Sequence, residues 1–415
     1  MSLTSLFVDF DAYFASAEQH LQPHLRGRPV GVAPVLAETS CCIAASYEAK
    51  AHGIKTGTSV RDARQLCPGI QIVQAQPAKY VELHHRLVAA VETCLHVEAV
   101  LSIDEMWCWL PYNLREPETV EKIGYNIKRA IHDQVSPWIN GSVGAAPNKW
   151  LAKMASKMRK PNGLLVIQQH DLPGILYELE LRDMHGVGRA MEIRLHAHGI
   201  HDVRSLCHAS RQQLHAAWGG IEGDRLWFQL RGKEVPEPET SRRSIGHSHV
   251  LPPDQRHPDA ALPVLHKLTQ KAAQRLRSHG MLARGFSISL RYLRGGKWCR
   301  EIQLEPTDDS LILARTTSLL WRQRPHHGEH LLQVSMVLDR LTHVGNYTPS
   351  LFIDEQEHPV ETGKTSHQVL NESMDMLVQK FGRQSIYLGG AHNAIEAAPM
   401  RISFGHIPDL DVEAD

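Results

Sequence analysis

The chain has 415 residues, of which 42% are hydrophobic and 22% charged, and its 45 Lys and Arg balance its 45 Asp and Glu. This length predicts roughly three compact domains and the composition excludes a long disordered chain. No stretch approaches the ~20 consecutive apolar residues of a membrane span, and the seven cysteines form no CxxC pair, which argues against a zinc site or a disulfide framework.

The N-terminal segment is apolar and ends in acids. Residues 6–10 are strand-like and residues 12–19 are helix-like, so Asp9 and Asp11 lie where a strand meets a helix. No basic region or cleavage site precedes this strand, so a cytoplasmic location is expected.

A second apolar stretch, residues 97–110, is predicted as one strand that carries Asp104 and Glu105 in its middle. Pairing the two strands would bring Asp9 close to both acids, as two divalent ions for phosphoryl transfer require. Adjacent strand residues point to opposite faces, so Asp104 and Glu105 can share a site only if the chain turns or bulges there. Alternatively, Asp9 and Asp11 cap the following helix, and the other two acids lie on a solvent-facing bend.

The middle of the chain alternates between helices and strands. Residues 119–135 are predicted as a helix, 142–144 as a short strand, and 148–158 as a helix that ends before residues 160–163. Residues 182–200 indicate a helix, a glycine-rich turn and a second helix. The pattern is that of an α+β protein followed by an all-helical region.

The net charge of zero hides two opposed regions. Residues 241–300 carry twelve basic and two acidic residues, a net of +10, whereas residues 351–415 carry four basic and eleven acidic residues, a net of −7. A basic region is the footprint of a phosphate-backbone binder, and a solvated helix face is the alternative. Residues 234–240 are predicted as a linker, and a helix at 262–279 with strands at 286–292 and 331–338 predicts a small mixed domain.

Four blocks resemble, in order and spacing, the signature segments of Y-family translesion DNA polymerases of the bacterial polymerase IV/polymerase V-like type. These blocks are residues 8–18, 102–105, 144–153 and 160–163. The resemblance implies an α+β multidomain fold, a right-hand polymerase with palm, small fingers, helical thumb and a mixed α/β little finger. The implied boundaries are palm 1–20 and 76–165, fingers 21–75, thumb 166–232, linker 233–243, little finger 244–350 and acidic tail 351–415.

The resemblance also implies an active site that holds two Mg²⁺ ions. Their ligands would be the catalytic carboxylates Asp9, Asp104 and Glu105, with the main-chain carbonyl of Phe10. Phe14 falls where the family places a steric gate against ribonucleotides, although the same ring could be core. The remaining implied contacts to the incoming deoxynucleotide are Tyr13, Tyr47, Lys50 and Lys160, and Cys41 and Ile43 would lie beneath the nascent base pair. A solvated side chain is the alternative for Lys50.

The expected DNA contacts are basic side chains and glycine amides, which bind the backbone without reading sequence. They are Lys149, Gly186, Gly188, Arg242, Arg243, Arg284 and Arg291, with Lys267, Lys271, Arg275 and Arg294 as further candidates. Met106-Trp107-Cys108-Trp109 departs from the small, aromatic and leucine residues that commonly follow the paired acids. This departure suggests unusual packing behind the site, but it removes no ligand.

The implied activity is low-fidelity, template-directed DNA synthesis past lesions, in DNA repair and the SOS response. The expected partners are primer-template DNA, deoxynucleotides, and a sliding clamp or other replication and repair proteins, with no membrane and a monomeric state. A non-catalytic DNA-binding accessory subunit and a magnesium nuclease are the alternatives. The tail helix around residues 370–381 is expected to dock on the protein itself or on a partner.

Overall fold

The structure, a computed structural model, describes residues 2–236, 242–325, 328–348, 366–382, 385–398, 402 and 407. The chain divides into two compact units, built mainly from Met1–Pro238 and from Glu239–Arg401. Parts of the predicted linker and of the acidic tail therefore lie outside the described residues. Within the described part of the chain, no helix is both long and apolar enough to cross a membrane. All seven cysteines are free thiols, as expected.

The first unit contains a central sheet, a smaller sheet and a group of helices. Its helices and strands, in chain order, are β1 (Ser5–Phe10), α1 (Tyr13–Leu21), β2 (Val30–Ala33), β3 (Ala44–Ala45), α2 (Tyr47–Lys50), α3 (Val60–Leu66), β4 (Gln71–Gln74), α4 (Pro77–Glu92), β5 (Ala99–Val100), β6 (Glu105–Trp109), α5 (Pro117–Gln134), β7 (Gly141–Ala146), α6 (Lys149–Met158), β8 (Leu164–Val166), α7 (Arg189–Ala197), α8 (Val203–His208), α9 (Arg211–Trp218) and α10 (Ile221–Gln229).

A five-stranded sheet in the order β5-β6-β1-β7-β8 forms the centre of this unit. β1 lies in the middle, antiparallel to both neighbours, and all six of its residues are buried. A strand covered on both faces reads as a continuous apolar run, which is why residues 6–10 were recognisable as a strand.

The single strand expected over residues 97–110 is wrong. The chain forms two short strands, β5 and β6, joined by a turn. The backbone N–H groups of Leu101 and Ser102 both donate to the carbonyl of Glu105, at 2.9 and 3.3 Å. The chain thus turns through Asp104 just before Glu105, as a shared site demands.

Close packing of α6 on the sheet depends on glycine. A Cβ atom on Gly144 would lie 2.2 Å from the carbonyl oxygen of Ala152, and one on Gly163 would lie 2.2 Å from the carbonyl oxygen of Arg159. Any side chain there would push the helix away. These two glycines therefore fix the distance between α6 and the carboxylates at the end of β1.

Smaller structures flank the sheet. β3, β2 and β4 form a three-stranded sheet that packs with α2 and α3 around a small core containing Cys42, Ile54 and Ile70. The helices α7 to α10 form the all-helical region. Its expected first hairpin helix is only the 3-10 turn Leu181–Asp183, because the chain extends again at Met184.

The second unit is a four-stranded antiparallel sheet in the order β11-β10-β12-β9, covered on one face by helices. Its elements are β9 (Ser244–Val250), α11 (Pro258–Ser278), β10 (Met281–Tyr292), β11 (Lys297–Thr307), α12 (Ser310–Arg322), β12 (Leu331–His343) and α13 (Ser366–Phe381). Along β10, Phe286, Ile288 and Leu290 are buried in the core shared with α11 and α12. Ser289 and Arg291 alternate with them, so they face the side of the sheet opposite the helices.

The C-terminal segment packs on the helices of this second unit. Arg277 of α11 makes two bonds of 2.6 and 2.8 Å to the carboxylate of Asp375 on α13. The chain then continues into a 3-10 helix, Gly389–Ala394, whose Ala391 and Ala394 are buried. The tail helix therefore docks on the protein itself, which is one of the two alternatives expected for it.

Candidate active site

The end of β1 brings together the acids predicted from the sequence. In the strand ladder Asp9 pairs with Glu105 of β6 on one side and with Ser142 of β7 on the other. The backbone N–H of Phe10 donates to the carbonyl of Asp104 at 2.8 Å. Main-chain bonds therefore hold all three acids at one end of the sheet.

Burial and mutual repulsion make this acidic group costly. Asp9 is only 4% exposed, and burial raises its pKa to about 6, with smaller increases from the charges of Asp104 and Glu105. The Lys160 ammonium opposes that rise. Ser102 donates to the carboxylate of Asp104 at 2.6 Å. The cluster thus holds negative charge that the fold only partly compensates.

Three lysines on α6 face the same side because they are four residues apart. Lys153 donates to Glu105 at 2.8 Å, and Lys157 lies 4.0 Å from the same carboxylate. Lys149 lies over the ring of Trp107, with its ammonium 4.7 Å from the ring centroid. The contact of Lys153 with Glu105 was missed in the sequence, although the helical spacing of the three lysines was a signal for it.

Within the described residues, no group of three or more His, Cys, Asp or Glu side chains is arranged to hold a metal ion. The carboxylates form ion pairs with lysines instead: Lys160 contacts Asp9, and Lys153 contacts Glu105. The available donors are nevertheless oxygens, which Mg²⁺ prefers, and the raised pKa of Asp9 marks a site that added positive charge would stabilise. The donor atoms present therefore suit Mg²⁺ by their chemistry, while lysines hold them in this arrangement.

The loop after α6 is anchored to the same end of the sheet. Asp11, which is 2% exposed, accepts hydrogen bonds from Ser142 Oγ at 2.9 Å and from the N–H of Asn162 at 2.6 Å. The N–H of Gly163 donates to Ser142 Oγ at 3.2 Å. Lys160 lies 3.5 Å from Asp11 in addition to its contact with Asp9. Asp11 is thus tied to the loop that carries Lys160.

Tyr47 and Lys50 lie on α2, with the Lys50 ammonium 4.2 Å from the centre of the Tyr47 ring. Burial, followed by the charges of Asp11 and Asp9, raises the pKa of Tyr47. Burial and then the nearby Lys160 ammonium lower the pKa of Lys50. The carboxylates of Asp11 and Asp9 oppose this decrease, so positive and negative groups meet at this location.

Phe14 and Tyr13 begin α1 and differ in exposure. The half-buried ring of Phe14 stacks on Tyr80, whereas Tyr13 is buried and its hydroxyl donates to the carbonyl of Tyr80 at 2.6 Å. Ala12 adopts a left-handed conformation with φ of 47°, and no side chain caps the helix. The first amides of α1 are therefore placed to bind an anion, and Tyr13 can offer its N–H rather than its hydroxyl.

A cavity of about 420 Å³ borders Glu105 within the first unit. Lys149, Lys153 and His185 line it, with Gly186 beside them. Gly186 has a φ of 93°, a conformation that favours glycine, and Gly188 precedes the first turn of α7 without a side-chain cap. The cavity thus combines cationic side chains with a glycine turn.

The basic residues of the second unit fall into two groups. Arg242, Arg243, Arg284 and Arg291 are exposed. By contrast, Lys271 donates to the carbonyl of Ala398 at 2.8 Å, and Lys267 donates to the carbonyls of Ile395 and Ala397. The last two lysines, expected as DNA contacts, instead bind the protein's own C-terminal segment. In the first unit, Cys41 is exposed and Ile43 is half-buried.

Comparison with protein families gives two consecutive matches. The model described as the impB/mucB/samB family matches residues 8–157, and the model of that family's C-terminal domain matches residues 242–351. A DNA polymerase IV of Moorella thermoacetica is 37% identical over 296 residues, covering 69% of this chain and 72% of the relative. A DNA polymerase IV of Bacillus velezensis is 27% identical over 410 residues, covering 96% and 95%.

Two solved structures resemble the chain in fold. A Y-family DNA polymerase chimera has a TM-score of 0.68 at 24% identity and covers 82% of this chain and 99% of its own. The insertion ternary complex of Dbh DNA polymerase has a TM-score of 0.54 at 23% identity, with coverages of 81% and 98%. These likenesses confirm the expected fold class.

Proposed function

The chain belongs to the impB/mucB/samB family of Y-family translesion DNA polymerases, and we propose that it serves DNA damage tolerance by two-metal-ion nucleotidyl transfer. In this reaction a primer 3′-hydroxyl attacks the α-phosphate of a deoxynucleotide and pyrophosphate leaves. The observation that carries the proposal is the convergence of Asp9, Asp104 and Glu105 at the end of one sheet.

We assign the binding of two Mg²⁺ ions to these three carboxylates and to the main-chain carbonyl of Phe10. The ions supply charge neutralisation at the phosphates and lower the pKa of the attacking hydroxyl. The resident lysines explain how the carboxylates are stabilised without metal, since Lys153 and Lys160 provide the opposite charge. The same two ammonium groups would also be donors for phosphate oxygens of a bound nucleotide.

The incoming triphosphate is assigned to the location between the fingers and the loop after α6. The Lys160 ammonium acts on the pKa of Lys50 there, after burial, and we assign both side chains to the phosphates. Tyr47 adds a hydroxyl, and the first amides of α1, at Tyr13 and Phe14, add main-chain donors. The Phe14 ring, held against Tyr80, then faces the sugar as the steric gate. Cys41 and Ile43 are proposed as the floor under the nascent base pair.

DNA binding is assigned to two surfaces, each within one unit. In the first unit, Lys149 and the amides around Gly186 and Gly188 line or flank the cavity beside Glu105, where we place the primer. In the second unit, the exposed side chains of Arg242, Arg243, Arg284 and Arg291 are proposed to contact the phosphate backbone. Neither set of contacts reads the base sequence, and a polymerase needs such sequence-independent binding.

The test is extension of a primer on an undamaged template and on one that carries an abasic site. Wild type is expected to extend both, whereas Glu105→Gln should extend neither while binding the same DNA. DNA binding without extension by wild type would instead favour an accessory subunit. Cleavage of the DNA without nucleotides would favour a nuclease, which would leave Phe14 and Lys50 without a role.

A further inference from the structure

Asp11 lies two residues after Asp9, yet its environment differs from that of the proposed metal ligands. It is 2% exposed, and its carboxylate accepts the Ser142 hydroxyl, whose Oγ lies 3.0 and 2.9 Å from the two carboxylate oxygens, and the N–H of Asn162 at 2.6 Å. Lys160 lies 3.5 Å away. With its oxygens used in this way, Asp11 is built into the protein rather than left open to a ligand.

These partners of Asp11 all belong to the loop of residues 160–163 or bind it. Ser142, which is completely buried, accepts the N–H of Gly163 at 3.2 Å while its hydroxyl donates to Asp11. Two consecutive loop amides, those of Asn162 and Gly163, are therefore held by the Asp11 and Ser142 side chains. On its carbonyl side the same loop is bound by the ammonium of Lys128. The loop is thus anchored from both sides.

Anchoring the loop controls the direction of Lys160. Asn162 has a φ of 55°, a left-handed conformation in which the chain reverses just after Lys160. With the loop so held, the Lys160 ammonium lies between Asp9 and Asp11. Burial and then the charge of Asp11 raise the pKa of Tyr47, so Asp11 also lies near the fingers. Two elements of the proposed triphosphate site therefore meet at this one carboxylate.

We propose that Asp11, with Ser142, is a positioning residue that sets the affinity for the incoming nucleotide by holding Lys160 and the loop of residues 160–163. This inference rests on the proposed function, because it concerns the same nucleotide site. It assigns Asp11 no metal ion and no contact with substrate. Its effect is transmitted through Lys160, whose ammonium binds the triphosphate.

The main test separates nucleotide affinity from chemistry. Asp11→Asn keeps the size of the side chain but removes its charge, and Ser142→Ala removes the hydroxyl that links Asp11 to the loop. Loss of a hydrogen bond to a charged group is expected to raise KM for deoxynucleotides about tenfold or more in Asp11→Asn, with a smaller rise in Ser142→Ala. In both variants kcat should fall less than KM rises, and the affinity for primer-template should stay at the wild-type value.

Two controls distinguish positioning from a general loss of stability. Ser142→Thr keeps the hydroxyl and should recover most of the wild-type KM. Asp224→Asn removes a carboxylate of the thumb that is bonded to Arg211 and His215 at 2.7 Å, and it should lower stability without changing KM. An unchanged KM in Asp11→Asn, or an equal rise in Asp224→Asn, would overturn the inference.

A binding measurement separates this inference from the proposed function. In metal-free buffer, inorganic triphosphate should raise the Tm of wild type, and this shift should be reduced in Lys160→Ala and to a similar extent in Asp11→Asn. If wild type fails to extend a primer but the shifts follow this pattern, the inference stands and the proposed function falls. If Lys160→Ala reduces the shift and Asp11→Asn does not, the inference falls and the proposed function is unaffected. No shift in wild type would overturn the inference.

Discussion

The ring of Phe14 stacks on the ring of Tyr80, with centroids 4.7 Å apart and planes inclined by 18°. This contact orients the Phe14 ring, which we propose as the gate against a ribose. We predict that Phe14→Ala raises the use of ribonucleotides relative to deoxynucleotides at least tenfold, a difference of about 1.4 kcal/mol. The measurement is kcat/KM for matched nucleotide pairs on one template.

Tyr80→Leu tests whether the stack itself matters. The change leaves Phe14 in place but removes the ring beneath it, and with it the bond of 2.6 Å from the Tyr80 hydroxyl to Glu18. An aromatic pair contributes about 0.5–1.5 kcal/mol, so ribonucleotide use should rise, but less than in Phe14→Ala. If ribonucleotide discrimination is unchanged in both variants, Phe14 is a core residue and not a gate.

Two basic residues of the second unit should behave in opposite ways. Arg291 is exposed on the face of the sheet opposite the helices, whereas Lys267 bonds carbonyls of the C-terminal segment. Arg291→Ala is predicted to weaken DNA binding equally on all sequences and to reduce the slope of log Kd against log salt by about 1, with little change in stability. Binding titrations at several salt concentrations provide the measurement.

Lys267→Ala is the matched case. It leaves the carbonyls of Ile395 and Ala397 without their charged donor. We therefore predict a loss of stability of about 1–3 kcal/mol and an unchanged affinity for DNA. Urea denaturation and the same binding titrations check both expectations. The assignment of the two groups would be reversed if Lys267→Ala weakened DNA binding and Arg291→Ala did not.

His84 supports the turn that carries the paired acids. It is 2% exposed, its Nδ1–H donates to the carbonyl of Ile103 at 2.8 Å, and burial lowers its pKa to about 4. The unfolded chain takes up a proton near pH 6.5, but the folded protein does so only near pH 4, so stability falls as the pH drops between these values.

The corresponding prediction compares wild type with His84→Gln, which can still donate a hydrogen bond but cannot be protonated. Between pH 7.5 and pH 5, in metal-free buffer, wild type should lose about 2 kcal/mol more of its free energy of unfolding than the variant. Because the pKa of Asp9 is raised, its protonation stabilises the folded protein as the pH falls. This contribution is the same in wild type and in the variant, so it cancels in the comparison. Equal losses would contradict the account of His84.

Much of the site could be predicted because its residues lie in local patterns. An apolar run ending at Asp9 predicts β1, and the spacing of Asn148 and the residues after it predicts α6 with its N-cap. The family resemblance then connects these segments to Asp104 and Glu105. The turn before Glu105 could be stated as a requirement but not predicted, because it depends on main-chain bonds that leave no pattern in the side chains.

Other features depend on contacts between distant parts of the chain. Ser142 gains its role only because β7 pairs with β1, which brings its hydroxyl to Asp11. Likewise, the net charge of the segment that contains Lys267 and Lys271 suggested DNA binding, since the sequence does not indicate that the C-terminal segment covers α11. Charge counts identify a basic region but not the partner of each side chain.

The most direct test of the central claim is primer extension by wild type, Asp9→Asn, Asp104→Asn and Glu105→Gln, each titrated with Mg²⁺. We predict that wild type extends the primer only when Mg²⁺ is present, and that each variant loses at least a hundredfold in rate, about 2.7 kcal/mol, while binding the same DNA with wild-type affinity. Extension by wild type without a divalent ion, or near wild-type rates in all three variants, would contradict the claim that these carboxylates form the catalytic centre.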